Sequence, residues 1–297
     1  MFKKLLIVGC GLIGSSILRG SINKQISKKM FVYEKSKKNI SKIKKINSKI
    51  IILKKLDKKI SDIDVVVIST PMSQYERIIP SLNKFLNKKS IITDVGSTKQ
   101  NVLKLNKKLN NSLVWISSHP ISGSEVSGPE YGTKSLFLNK WCVVLNHKNK
   151  NKLKKIIKLW KRLGSKVIIM DPKSHDEIFS LTSHLPHLIA YNLIKTAQDF
   201  QKTHKKNIIK YSAGGLRDSS RLAASNEIMW RDVFFNNRKN MSAVIDLFIK
   251  NLKNFKTDIN KKRNSVLLEK LKKSKKVREQ ILLLKQDVSK PDFGREN

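Results

Sequence analysis

Leu5-Leu6-Ile7-Val8-Gly9-Cys10-Gly11-Leu12-Ile13-Gly14 decides the reading of this chain. The aliphatic run predicts a buried strand, and the segment 11–22 suits a helix, so three glycines sit where a strand turns into a helix. Phosphate binding is the chemistry that needs such a turn. Gly9 permits the tight bend, Gly11 lets the backbone approach a pyrophosphate, and Gly14 allows helix and strand to pack closely. Unpaired N–H groups of the first helical turn, around Leu12 and Ile13, then meet the phosphates at the positive helix end.

Twenty residues past Gly14, Glu34 closes the next aliphatic run. A carboxylate there can accept hydrogen bonds from both hydroxyls of a ribose and repels a 2′-phosphate, which favours NAD over NADP. Lys35, Lys37 and Lys38 are the counterweight, and a solvated strand end is the bland alternative for Glu34. The same N-terminus imitates an export signal, with Lys3 and Lys4 ahead of apolar residues and Ile7-Val8-Gly9-Cys10 resembling a lipid-attachment box. The apolar run before Cys10 is shorter than the roughly 7–15 residues of a signal core, and glycines and serines interrupt the stretch after it. A strand–turn–helix in a cytoplasmic protein is therefore expected, with Cys10 a bystander inside the turn.

Beyond the turn, residues 5–9, 30–34, 65–70, 90–95 and 113–117 are predicted as strands, most of them separated by segments suited to helices. Residues 141–145 and 166–170 add two more around a helix near 151–163. This alternation implies a doubly wound, mostly parallel Rossmann-type α/β sheet covered on both faces. After Asp171-Pro172 no comparable strand run occurs, only helical periodicity broken near Gly214-Gly215 and Lys261-Lys262. A dinucleotide-binding domain over 1–170 and an all-α domain over 171–297 are the result, the tail from about 285 being polar and expected to fray.

Composition closes several doors. The 297 residues include 39% hydrophobic ones, enough for a core, and no apolar run reaches the roughly 18 residues of a membrane-spanning helix. Two cysteines, Cys10 and Cys142, exclude a disulfide scaffold. The net charge of +40 invites a nucleic-acid reading. The lysines are spread through nearly every segment, however, and aromatics are 7% with no stacking platform between basic clusters, so no specific nucleic-acid partner is expected.

Ligands of open parallel sheets bind beyond the carboxyl ends of the strands. Three strands here end in polar segments: Ser69-Thr70-Pro71, Asp94 to Lys99, and Ser117-Ser118-His119-Pro120. His119 is the candidate acid–base group, because an imidazole can take a proton from a substrate hydroxyl as hydride leaves the same carbon. Ser97 either holds that hydroxyl or the nicotinamide amide, or simply caps the next helix. In the second half, His184 and His187 stand three apart, but no third ligand of matching character supports a metal site. Asp218 and Arg221 share a helical face, so the carboxylate can orient the guanidinium toward an anionic ligand; a surface ion pair is the plain alternative. Trp230 lies about half a helical rotation beyond Arg221, and Asn226 between them reads as a cap, which places the two on different helices.

At these residues the chain resembles the prephenate and arogenate (cyclohexadienyl) dehydrogenases of tyrosine biosynthesis. The stretches 119–125 (His-Pro-Ile-Ser-Gly-Ser-Glu), 215–221 (Gly-Leu-Arg-Asp-Ser-Ser-Arg) and 228–232 (Ile-Met-Trp-Arg-Asp) carry the resemblance, with Leu216 where Phe is more usual. It implies that His119 hydrogen-bonds the ring hydroxyl with Ser97 beside it. It further implies that Glu125 belongs to an ionic network gating the site and that His187 and Arg221 hold substrate carboxylates. Trp230 would reach the site of a neighbouring subunit in a homodimer formed through the helical domain. The implied reaction is an NAD-dependent oxidative decarboxylation. A β-hydroxyacid dehydrogenase of similar architecture is the alternative, although no glycine-rich loop leading to a catalytic lysine is found.

Overall fold

The computed structural model describes residues 2–284; the fraying expected from about residue 285 lies outside them. Nine strands and eleven helices make up the described chain. Strands β1 (Phe2–Val8), β2 (Ser27–Tyr33), β3 (Ile51–Leu53), β4 (Val65–Ile68), β5 (Ile91–Asp94) and β6 (Val114–Trp115) form one sheet in the order β3-β2-β1-β4-β5-β6, every pair parallel. That is the doubly wound order, whose switch point falls between β1 and β4. The central strands are buried on both faces, which is why they read as continuous Val/Ile/Leu runs rather than alternating ones.

Helices α1 (Leu12–Asn23), α2 (Lys37–Lys44), α3 (Tyr75–Phe85), α4 (Gln100–Asn106) and α5 (Lys150–Arg162) come from this half. One core cluster gathers Leu5, Ile7, Ile17, Val65 and Trp160, a second Leu6, Val8, Val66, Tyr75 and Trp115. Alternate residues of β1 thus feed opposite sides, as the two-residue period of a strand requires. Strand β3 is not predicted by the sequence: three residues at the sheet edge, bounded by lysine-rich segments, show no period.

A second, separate sheet is likewise not expected from the sequence. Strands β7 (Ser118–Pro120), β8 (Trp141–Leu145) and β9 (Lys166–Met170) form it, with β7 antiparallel to β8 and β8 parallel to β9. The chain leaves β6 and re-enters a ladder within three residues, so His119 is a strand residue paired with Val143 rather than part of a loop.

The change from strands to helices falls between Met170 and Pro172. Helices α6 (Pro172–Phe179), α7 (Leu185–His204), α8 (Gly214–Ser220), α9 (Glu227–Asn236), α10 (Arg238–Asn260) and α11 (Asn264–Leu283) come next. Compactness divides the chain elsewhere: residues up to Met241 form one unit, and residues from Ser242 a second. In the first, Asp232 on α9 accepts a hydrogen bond from the N–H of Ser73 (3.0 Å) just before α3, tying the helices to the sheet domain. In the second, buried Asp258 pairs with Arg263 and Lys270, while Leu247, Leu252, Leu271 and Val277 stay exposed. Among the described residues no helix is long and apolar enough to cross a membrane.

Candidate active site

The glycine turn has the geometry its sequence demands. Gly9 adopts φ +85°, where an L side chain is strained. At Gly14 a Cβ would stand 2.3 Å from the Gly9 carbonyl oxygen and 2.8 Å from the Ser69 hydroxyl. Gly11 caps α1 without a side chain, leaving the first helical N–H groups to a ligand. A cleft of about 680 Å³ opens there, lined by Gly9, Gly11, Glu34, Ser69, Thr70 and Pro71 among others. Ile13 packs against the core behind this lining, so of the first helical turn it is the backbone that can serve a phosphate. Gly14→Ala is expected to strain the turn by about 1–3 kcal/mol. A titration of dinucleotide affinity should show a loss of about tenfold or more, and unchanged affinity would contradict the role given to this contact.

Glu34 is not a solvated strand end. Its carboxylate accepts from the N–H of Cys10 (3.0 Å) and of Ser36 (2.9 Å), bridging the glycine turn to the end of β2. The bridge holds an acceptor at the cleft wall. Lys35 also lines the cleft, joined by Lys55 and Arg77, two cations to which sequence spacing does not point. Burial, reinforced by the charge of Glu34, pushes the Cys10 thiol up to about 12.

At the carboxyl ends of β5 and β6 lies a buried polar network. Lys99, fully buried, donates to Asp94 Oδ2 (2.8 Å), Ser117 Oγ (2.8 Å) and the Ser118 carbonyl (2.5 Å). These three acceptors exhaust its three protons. Asp94 also takes the Trp115 indole N–H (3.0 Å), the Ser117 hydroxyl (2.6 Å) and the Gly96 N–H (2.9 Å). The residues leading into His119 are thereby clamped.

His119 is buried, and its Nδ1 lies 2.9 Å from Nε2 of His175 on α6. The other nitrogen of His175 lies 2.8 Å from Oδ1 of Asp176. Asp176 in turn accepts from the N–H of Lys99 (2.7 Å) and Gln100 (2.9 Å), and so caps α4. The capping alternative for Ser97 is thus taken by a residue from another element; Ser97 itself is half-buried in the preceding turn. Phe179 packs on both imidazoles, with ring centroids 5.2 and 4.6 Å away.

Between α6 and α7 the helix widens into a π turn, Ser180–His184, a distortion often found at functional sites. His184 ends this turn, and His187 lies three residues on in α7. Buried His184 shares a hydrogen bond with Asn237 (3.1 Å), and the same amide reaches the Asp176 carbonyl (2.8 Å). His187 donates from Nδ1 to the Ser183 carbonyl (2.9 Å) and stacks on Trp230, centroids 3.7 Å apart. The Asn226 cap starts α9, and Trp230 on it faces α7 of its own chain, 6% exposed. Arg221 comes after α8 in a 3₁₀ turn and pairs with Glu125 across 3.5 Å. Asp218 lies within α8, half-buried, one turn before it.

These imidazoles are held neutral. Burial, then the neighbouring His175 and Lys99, pushes His119 well below its ordinary range. Burial lowers His175 against the opposing pull of Asp176, and burial brings His184 to about 4. Burial lowers His187 too, against the Ser183 carbonyl and with help from Arg221. The unfolded chain therefore binds protons below about pH 6.5 that the folded one refuses. Above that pH the three buried histidines, His119, His175 and His184, contribute no pH dependence. Between pH 6.5 and 5 His119 and His184 are each expected to cost on the order of 1 kcal/mol per pH unit, visible as a melting temperature that falls on acidification. A flat profile over that range would contradict the neutral assignment.

Fold and site together define a Rossmann-type dinucleotide-binding protein with buried histidines placed beyond the carboxyl ends of β5 and β6, strands of the sheet that bears the glycine turn. Residues 20–169 match the model of the prephenate dehydrogenase nucleotide-binding domain, and residues 171–273 that of the prephenate dehydrogenase dimerization domain. A cyclohexadienyl dehydrogenase of Zymomonas mobilis is 32% identical over 97% of this chain and 98% of its own. A prephenate dehydrogenase of Lactococcus lactis is 30% identical over 93% of this chain and 77% of its own. The crystal structure of prephenate dehydrogenase from A. aeolicus in complex with hydroxyphenyl propionate and NAD+ superimposes with a TM-score of 0.88 at 31% identity, covering 95% of this chain and 99% of that one. The chain belongs to the prephenate dehydrogenase family. The β-hydroxyacid dehydrogenase and nucleic-acid readings are set aside on that ground.

Sequence alone points to His119 and His187 but gives no role to Lys99, His175 or Asp176. Asp171-Pro172 marks only a boundary there, and nothing in spacing joins His175 to a residue 56 positions earlier.

Proposed function

We propose that the chain oxidatively decarboxylates prephenate, or its amine counterpart arogenate, with NAD, in tyrosine biosynthesis. The observation that carries this is the buried, neutral His119 on β7, just past the carboxyl end of β6 in the sheet that bears the glycine turn, in a member of this family. The uncapped start of α1 and the Glu34 bridge suit the pyrophosphate and ribose of NAD, with Ser69, Thr70 and Pro71 forming the far wall. The dinucleotide, when bound, accepts the hydride. His119 takes the proton of the ring hydroxyl, and Ser97 orients that hydroxyl. Arg221 and His187 receive the carboxylates, with Glu125 and Asp218 orienting the guanidinium. Trp230 supports His187 by stacking. Loss of carbon dioxide aromatises the ring, so the protein's work is positioning and charge placement.

Residues 1–170 would carry the cofactor, and residues 171–297 the substrate contacts and the interface of a homodimer. The exposed leucines and valine of α10 and α11 supply apolar surface for such a contact. A cytoplasmic location fits a pathway enzyme using a soluble dinucleotide. The test is NADH formation with prephenate and arogenate, each with NAD and NADP. Turnover of neither substrate would overturn the reading, and a preference for NADP would overturn the role of Glu34.

A further inference from the structure

We propose that Asp176 and His175 are positioning residues that set the tautomer of His119, so that its Nε2 presents a bare lone pair to the substrate hydroxyl. The inference rests on the acid–base role proposed for His119 and deepens it.

The hydrogen-bond chain has a direction that can be read from its acidic end. Burial raises the Asp176 carboxyl, but the His175 ring and the N–H groups of Gln100 and Lys99 outweigh it and keep the group ionised. An ionised carboxylate only accepts. His175 Nδ1, 2.8 Å from Oδ1, therefore carries a proton. His175 is neutral near pH 7, so its Nε2 has none and must accept. His119 Nδ1, 2.9 Å away, is then the donor. His119 is neutral as well, which leaves Nε2 unprotonated. A cationic His175 would reverse the chain and place a proton on His119 Nε2. Burial and the charge of Lys99 oppose that cation, against the pull of Asp176 and Asp94; His184 and, from β8, the Cys142 thiol also face His119. Two backbone N–H groups pin Asp176, and Phe179 packs on both rings, so the order of donors is built into the fold.

The direct test is nitrogen-15 NMR of histidine-labelled protein near pH 7.5. The His119 signals are those missing from His119→Asn. A protonated Nδ1 and a bare Nε2 are expected; a protonated Nε2 would overturn the proposal. In His175→Phe, His119 should show mixed tautomers and kcat should fall about 100-fold with KM changed less than about threefold. His175→Gln, whose amide oxygen can accept where Nε2 does, should regain about tenfold of that loss. A His175→Phe enzyme within about threefold of wild-type kcat would also overturn the proposal. Should neither substrate be turned over, the proposed function fails while the wild-type spectrum still decides the tautomer. The same spectrum decides it if the variants do not fold.

Discussion

His119→Asn is expected to lower kcat by about a thousandfold, within the range general acid–base groups contribute, while leaving both KM values near wild type. Asparagine keeps a hydrogen-bonding group at the strand end but cannot accept the hydroxyl proton. Its small change in volume sits in a strand held by Val143 on one side and the Lys99 clamp on the other. The pH profile supplies the second readout. His119 is pushed well below 6.5 by burial, His175 and Lys99, so the wild-type enzyme holds its base form through neutrality and loses activity only on further acidification. The acid limb due to this group should disappear in the variant, at whatever activity remains. Full turnover by His119→Asn would remove the histidine from the chemistry.

Lys99→Met is expected to be the most destabilising single change in the site, by about 3–5 kcal/mol. The methionine fills most of the volume but leaves Asp94 as a fully buried carboxylate without its cation. Three hydrogen bonds go with the ammonium, two of them to the residues leading into His119. In a chain of this size the loss should appear as a fall in melting temperature of roughly 10 °C. Adding Asp94→Asn to the variant should recover part of it, because the pair's cost lies in the uncompensated charge rather than in the loss of attraction. Urea titrations of the single and double variants measure this directly. A Lys99→Met protein as stable as wild type would contradict the stabilising role given to the buried pair.

How much of the fold is legible in the chain differs by element. The helices at 12–23 and 150–162 match their predicted spans to within a residue or so, because each has an apolar stripe and a turn on either side. The all-helical run after Pro172 and the breaks near Gly214 and Lys261 are equally readable. Strands β3 and β7 are not, since three residues carry no period and their ladders are made with distant partners. Arg221 with Glu125 shows the same limit: no helical spacing points to an ion pair that spans 96 residues.

The glycine turn and its carboxylate were determined by sequence alone, because strand, turn, helix and Glu34 lie within a few dozen consecutive residues and their chemistry is local. His119 was likewise visible, by residue type and by its place after a strand. Its surroundings were decided only by tertiary structure. His175 and Asp176 belong to α6, beyond the last strand, and approach His119 because that helix packs across the start of α4, where Asp176 takes two N–H groups that no local side chain caps. A desolvated carboxylate must find donors wherever the fold brings them, and that requirement, not spacing along the chain, put the relay behind His119.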